Sequence, residues 1–390
     1  MKIALVHLRH AATGGTERYL NQLAAFLAAR GDDVAVVCRR HGEAPDPRVR
    51  FVRLHGLALG ATWRVASFAR SVARHLRRER YDVVYGLGRT WTQDVLRLGG
   101  GTHATYLETA HDAARPGGGR RALGPKHRLA LAIERRALSD PALQRVVVNS
   151  TMVARDVARR YAVAPEKIEL VYNGVDLERF HPRRREREGR ALRAELGLAA
   201  DDLALLFLGS GYGRKGLDLV LEALPAVVRG EPRARLVVAG WDSSGAAYER
   251  RAAELGVADR VRFLGGRGDA EAVYAACDLY ALPTRYDPFA NATLEALASG
   301  LPVVTSTANG ACELLTEDLE GSVVRAGAAA DELAAALLRW CSRERLAEGA
   351  LSARALAERH PARRTAEESA RVLDAAAASK RAAPALGRIP

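Results

Sequence analysis

Two doubly wound α/β domains are the fold class that this sequence predicts. Three observations carry the prediction: short apolar runs recur along the 390 residues, helix-length segments separate them, and a charged stretch near the middle divides them into two series. Residues 3–7, 33–38, 82–85 and 146–149 form the first series. They are nearly continuous in apolar residues rather than alternating, as strands covered on both faces must be. Between the first two, residues 16–30 set Leu20, Leu23 and Leu27 on one helical face and stop at Gly31, a good carboxyl cap. The second series comprises 204–208, 235–239, 261–264, 279–282, 303–305 and 322–324. Alternation of strand and helix on this scale builds parallel sheets with helices on both faces.

The break falls at 181–197, where Pro182, Arg183, Arg184, Arg185, Glu186, Arg187, Glu188 and Gly189 supply charge and no core. Such a stretch reads as a linker. The expected organisation is therefore a first domain over 1–181, a second over 182–365, and a carboxyl-terminal helix and tail over 366–390, frayed from Ala375 onward. Two doubly wound domains on a linker are expected to face a central cleft, with ligands at the carboxyl ends of the strands that line it.

Composition narrows the class. Hydrophobic residues at 48% and charged residues at 27% exclude wholesale disorder. The four cysteines, Cys38, Cys277, Cys312 and Cys341, are scattered with no Cys-x-x-Cys pair, which argues against a disulfide framework or a zinc site and for a reducing compartment. No apolar run reaches membrane-spanning length, and the amino-terminal run is short for a signal peptide, so a soluble, cytoplasmic protein is expected. The net charge of +13 attracts polyanions, namely nucleic acid, anionic lipid or phosphorylated substrates. Arginine-rich usage also follows from a GC-rich genome, so charge by itself selects no partner.

Three motifs could carry chemistry. Thr13, Gly14, Gly15, Thr16 and Glu17 join the first strand to the first helix, where paired glycines let amides approach a ligand and the helix start favours an anion. An ordinary tight turn explains the same residues. Next, Gly209, Ser210, Gly211, Tyr212, Gly213, Arg214, Lys215 and Gly216 again follow a strand. Arg214 can grip two phosphate oxygens and Lys215 acts as a point charge, which suits a diphosphate. A solvated basic helix start is the alternative, but cations there are unfavourable unless an anion answers them. Neither the P-loop nor the dinucleotide fingerprint fits the spacing. Last, Asp287 lies in a loop before Phe289, Ala290, Asn291 and Ala292, and a second acid, Glu295, follows eight residues on. Asp287 can accept from sugar hydroxyls, or simply cap the helix; the amides at 290–292 can face phosphate, and Glu295 can take both hydroxyls of a ribose.

These residues resemble the signature of glycosyltransferase family 4, with its GT-B fold of two Rossmann-like domains. The acid–seven–acid element from Asp287 to Glu295, continued through Ser299, Gly300, Leu301 and Pro302, carries the likeness. Supporting stretches are Gly14 to Glu17, Val148 to Ser150, Tyr172 to Asp176 and Gly213 to Gly216. Within the family the sequence is most similar to the lipopolysaccharide core glucosyltransferase I group. The resemblance implies a retaining, metal-independent hexosyltransferase that needs no cofactor. The nucleotide sugar, UDP-glucose, would be its co-substrate and a cell-surface glycolipid or polysaccharide its acceptor. It implies that Glu295 holds the donor ribose, Asp287 the sugar hydroxyls, and Arg214 with Lys215 the diphosphate, with Gly15, Phe289, Ala290 and Asn291 also at the donor. It further implies front-face attack, the donor phosphate accepting the acceptor's proton. Two departures stand out: the first acid is commonly Glu, one methylene longer than Asp287, and a glycine often found near Ala290 is absent.

By the same resemblance His103 falls where the fold holds a polar residue beside the reacting sugar, with His111 as a rival; either histidine could equally be structural. No Asp-x-Asp pair exists to clamp a metal. Residues 115–136 hold Arg115, Arg120, Arg121, Lys126, Arg128, Arg135 and Arg136 against Glu134 alone. They form either a solvated helix face or a patch for anionic membrane or a phosphorylated glycolipid. The rival classes are a basic nucleic-acid-binding protein, which 6% aromatic content and the lack of any binding motif disfavour, and an epimerase or phosphorylase on the same fold. No nucleic-acid partner is expected.

Overall fold

The computed structural model describes residues 1–11, 14–42, 46–56, 60–114 and 124–382, with the side chains of 110–114 excepted. The chain folds as two compact units, one built mainly from residues 1–172 with a carboxyl-terminal helix, the other from Asn173–Pro361. In the first, β1 (Lys2–Val6), β2 (Asp33–Cys38), β3 (Arg50–Arg53), β4 (Val83–Gly86), β5 (Val95–Arg97), β6 (Arg145–Val148) and β7 (Ile168–Leu170) form one parallel sheet in the order β3-β2-β1-β4-β5-β6-β7. In the second, β8 (Leu203–Leu208), β9 (Ala234–Ala239), β10 (Val261–Gly265), β11 (Leu279–Leu282), β12 (Val303–Ser306) and β13 (Gly321–Val324) run parallel in the order β10-β9-β8-β11-β12-β13. Both orders reverse direction once, between β1 and β4 and between β8 and β11. Each unit therefore has a crevice at the carboxyl ends of those strands.

The register explains why the strand sequences are apolar throughout. Ile3 and Leu5 pair in register with Val34 and Val36, and all four join the core under the helices Gly15–Ala29 and Ala362–Ala382. Their neighbours Ala4, Val6, Ala35 and Val37 face the opposite way, against Phe68 and Val72 of the helix Gly60–Arg78. Successive side chains alternate across a sheet, so a sheet buried on both faces has no position for a polar residue. Three strands escape the sequence pattern. β3 and β7 are edge strands with part-exposed residues, and β5 has only three residues, held by pairing with β4 and β6.

Residues 182–197 are not a linker. A turn at Pro182–Arg185 leads into the helix Glu188–Glu195, which packs on the helix Ala270–Ala275 of the second unit. A Cβ at Gly189 would lie 2.3 Å from the Ala275 carbonyl oxygen, so only glycine admits this approach. The arginines are the anchor. Arg193 donates to the carbonyls of Ala276, Ala199 and Asp202, and Arg185 to that of Cys277. Those at Ala276 and Cys277 stand at a helix carboxyl end, where carbonyls lack helical partners and cations are favoured. Charge that reads as solvated in sequence is here bound to backbone.

The carboxyl end also departs from expectation. The helix Ala362–Ala382 belongs to the first unit, not to a separate tail, and persists past Ala375 with Ala376 and Ala377 buried. Ala366, Ala370, Leu373 and Ala377 form its apolar stripe. Arg30 grips Asp374 through two bonds of 2.8 and 3.0 Å, and Lys380 reaches Asp94 at 2.8 Å. Among the described residues no helix is long and apolar enough to cross a membrane.

Candidate functional site

In the second unit the loops after β8 and β11 meet at the sheet's crevice. Gly216 has φ of +83°, and a Cβ there would lie 2.3 Å from the Pro283 carbonyl oxygen. Glycine thus lets the chain turn sharply between the single helical turn Tyr212–Lys215 and the helix Leu217–Gly230. The Arg285 amide and the Thr284 hydroxyl both donate to the Arg214 carbonyl, at 2.8 and 3.0 Å. Arg285 also forms a two-bond pair with Asp218, at 2.8 and 2.6 Å. The two loops are held as one body, 70 residues apart in sequence.

This arrangement sets Lys215 directly on Asp287 Oδ2, with Arg214 3.3 Å from the same oxygen and 2.8 Å from the Tyr286 carbonyl. Asp287 keeps only 9% of its surface. Burial alone would raise its pKa, but the charges of Lys215 and Arg214 outweigh burial and hold it below the usual carboxylate range. The anion that answers the two cations is therefore the chain's own. They also lie in the last turn of a short helical segment, where positive charge is favourable, so their position does not by itself demand a ligand.

Asp287 is not part of the following helix. Its amide donates to the Ala308 carbonyl and its own carbonyl accepts from Gly310, a strand-like bridge centred on Asn309. Asp287 Oδ1 accepts from the Phe289 amide at 3.2 Å. The helix itself runs Asn291–Ala298. The Ala290 amide, expected to face phosphate, donates instead to Asn309 Oδ1 at 3.1 Å, while Asn309 Nδ2 donates to Thr293 and Thr305. That leaves the Asn291 and Ala292 amides without a protein acceptor among the described residues. Asn291 Oδ1 accepts from Asn173 at 2.7 Å. Glu295 is buried at 7% exposure, with its Oε2 3.2 Å from the Tyr274 hydroxyl, which also stands 3.1 Å from the Ala292 carbonyl. Phe289 is buried beside them in sequence.

Arg214, Lys215 and Asp287 are thus brought into contact, while Glu295 lies on the helix Asn291–Ala298 that carries the open amides. Sequence reasoning missed Asn309, Tyr274, Thr284 and the Arg285–Asp218 pair. An asparagine before Gly310, just past the apolar run at 303–305, was the available signal for the first. The others act through contacts that no spacing announces.

In the first unit a pocket of about 840 Å³ opens at the carboxyl ends of β1, β2, β4 and β5. His103 lines it and opens the helix His103–Ala114. Glu134 caps that helix, accepting from the His103 amide at 2.5 Å, from the Ala104 amide at 3.3 Å and from the Tyr161 hydroxyl. His103 Nε2 stands 3.1 Å from His127 Nδ1, within hydrogen-bonding distance, with the two ring planes 16° apart. Burial first, and then the charges of Arg89, His127 and Lys126, push His103 down to about 4, so it is neutral at physiological pH. Glu17 and Thr16 line the same pocket, and Glu17 takes Arg9 at 3.0 Å. Gly15 opens its helix exposed and outside the pocket wall. Of the basic stretch, Lys126, Arg128, Arg135 and Arg136 are exposed, with Lys126 at the pocket and Arg136 over the Trp91 ring. Thr13, Arg115, Arg120, Arg121 and the side chain of His111 lie outside the described residues.

Comparison with known proteins matches a family description to each half of the chain. Residues 13–179 match the family described as Glycosyltransferase Family 4, and residues 202–343 match Glycosyl transferases group 1. A D-inositol 3-phosphate glycosyltransferase of Mycobacterium marinum is 31% identical over 371 residues, covering 88% of this chain and 77% of that protein. One of the same name from Saccharomonospora viridis is 36% identical over 277 residues, 67% of this chain; the chain spans 62% of that protein's length. Among solved structures, WaaG, a glycosyltransferase involved in lipopolysaccharide biosynthesis, superposes with a TM-score of 0.80 at 24% identity, over 95% of this chain and 99% of WaaG. Anabaena HepE in complex with UDP-glucose gives 0.71 at 21% identity, over 96% and 100%. At these identities the structural likeness establishes the fold.

Proposed function

We propose that this chain, which belongs to glycosyltransferase family 4 and has the GT-B fold, moves glucose with retention from UDP-glucose to a glycolipid or saccharide acceptor. The observation that carries the reading is the meeting of Lys215, Arg214 and Asp287 beside a helix start whose Asn291 and Ala292 amides are open. Two fixed cations and free amides suit a diphosphate, which gains negative charge as the glycosidic bond breaks. Asp287, drawn off by the same cations before the donor arrives, then accepts from sugar hydroxyls, and Glu295 takes the ribose. His103, neutral because of its surroundings, offers a hydrogen bond to the reacting sugar. For a retaining transfer without a carboxylate nucleophile, the leaving phosphate takes the acceptor's proton. HepE's complex with UDP-glucose supports the choice of base and sugar. The relatives' names differ in acceptor, D-inositol 3-phosphate in one and lipopolysaccharide biosynthesis in another, so the acceptor is given as a class. We place the enzyme in the cytoplasm, at the inner face of the membrane, on its basic surface.

The test is a donor screen by calorimetry over uridine, guanosine and adenosine diphosphate sugars, followed by product analysis. Selective binding of UDP-glucose, with product anomeric coupling matching the donor's, supports the reading. Inversion, or no nucleotide-sugar binding at all, removes it.

A further inference from the structure

The helix Pro125–Leu138 holds His103 twice. Its Ala130, Ile133, Ala137 and Leu138 are buried, which fixes it against the rest of the first unit. His127 and Glu134 lie two turns apart on one face of that helix. Glu134 takes the backbone of His103, accepting from its amide at 2.5 Å, and also accepts from the Tyr161 hydroxyl. His127 takes the ring, with its Nδ1 3.1 Å from His103 Nε2 across 24 positions of sequence. Tyr106, one turn along from His103 on its own helix, sets its ring 5.9 Å away and 17° from parallel. Neighbours on two helices thus limit the rotation of the imidazole.

These contacts leave one ring nitrogen for a ligand. Nε2 of His103 is engaged, whereas Nδ1 has no protein partner among the described residues. His103 is neutral at physiological pH, because burial first, and then Arg89, His127 and Lys126, disfavour the imidazolium. A neutral imidazole has one nitrogen that donates and one that accepts, and a partner on either decides the role of the other.

We infer that His127 is a positioning residue for the transfer: by engaging Nε2 it fixes the tautomer of His103 and presents Nδ1 to the reacting sugar. A sugar hydroxyl can meet either tautomer, since it both donates and accepts. What His127 supplies is therefore a single ring orientation with a single hydrogen-bonding role, set before the glycosidic bond breaks. The inference rests on the transferase reading for the ligand that Nδ1 meets; the control of the tautomer by His127 does not.

The test uses the full chain labelled with nitrogen-15 in its histidines. A ring nitrogen that carries hydrogen differs widely in chemical shift from one that does not, and His103→Gln assigns the His103 signals by their loss. The parent should show His103 in one tautomer at pH 7, and His127→Leu should move both of its nitrogens toward averaged values. In single turnover with UDP-glucose, His127→Leu should slow the saturated rate about 10- to 100-fold, the scale of a displaced reacting geometry. UDP affinity should hold, because UDP lacks the sugar. His127→Asn, whose amide can donate or accept from a similar position, should recover most of the rate. A purely structural His127 would lower the unfolding midpoint and leave the tautomer of the folded variants unmoved. A parent divided between tautomers overturns the inference without any variant. Nitrogens unshifted in His127→Leu, a full rate despite shifted nitrogens, or His127→Asn no faster than His127→Leu overturns it as well. A parent that turns over no nucleotide sugar strikes the transferase reading instead, and the nitrogen spectra still decide whether His127 fixes His103.

Discussion

Replacing Lys215 by Met removes the nearer cation from a carboxylate that is nine-tenths buried. Breaking a buried pair from one side costs about 3–5 kcal/mol, because the remaining charge is left uncompensated. Two contacts survive the change: Arg214 stays 3.3 Å from Oδ2, and the Phe289 amide still donates to Oδ1. The expected loss is therefore at the low end, about 3 kcal/mol. Adding Asp287→Asn should recover most of it, since neither charge is then stranded, and the double-mutant cycle isolates the pair. The pH dependence has a definite sign. Burial raises the Asp287 pKa, but Lys215 and Arg214 bring it below the ordinary value. The pair's stabilisation is thus fully present above the unfolded carboxyl pKa of about 3.9, and is lost as the pH falls through the lower folded value. The deficit of the Lys215→Met variant should accordingly be complete at pH 7 and shrink in acid. Urea unfolding of the four proteins of the cycle at several pH values measures this. A single variant as stable as the parent, or a double variant no better than the single, would show that the contact is not an energetic pair.

Three further outcomes are expected. Glu295→Ala should weaken UDP binding by about 1.5–3 kcal/mol, the worth of hydrogen bonds to a charged group, with the unfolding midpoint little changed; calorimetry with unaltered affinity would end the ribose role. Turnover should survive EDTA, because Arg214 and Lys215 supply the positive charge at the leaving group; activity lost to chelation and restored by magnesium would contradict this. His127→Leu should raise the His103 pKa from about 4, yet leave it under 6.5, since burial is the larger cause and Arg89 and Lys126 remain; a histidine NMR titration unchanged by the substitution would refute the contact.

The fold class was legible from residue order because parallel strands covered on both faces leave no polar positions. β1, β2, β4, β6 and the whole second series therefore stand out as apolar runs, and Leu20, Leu23 and Leu27 mark the first helix. The residues that could serve a donor were legible too, since Arg214, Lys215 and Asp287 follow the ends of apolar strands, where loops carry chemistry, and Glu295 stands eight residues past Asp287. Tertiary structure decided what those residues touch. Lys215 and Asp287 lie 72 positions apart, and only the glycine turn at Gly216 against Pro283 brings the two loops close enough to pair. Asn309, on another loop again, takes the Ala290 amide and so determines which amides stay open. The pocket of the first unit gathers Arg40, Arg64, Arg89 and Lys126 from four separate segments, none of them unusual in sequence. Residues 182–197 make the contrast sharpest. Their composition is that of a solvated linker, yet Arg185 and Arg193 hold that segment by donating to carbonyls 83 or more positions away. A charge's partner depends on distance in space, and composition carries no record of that distance.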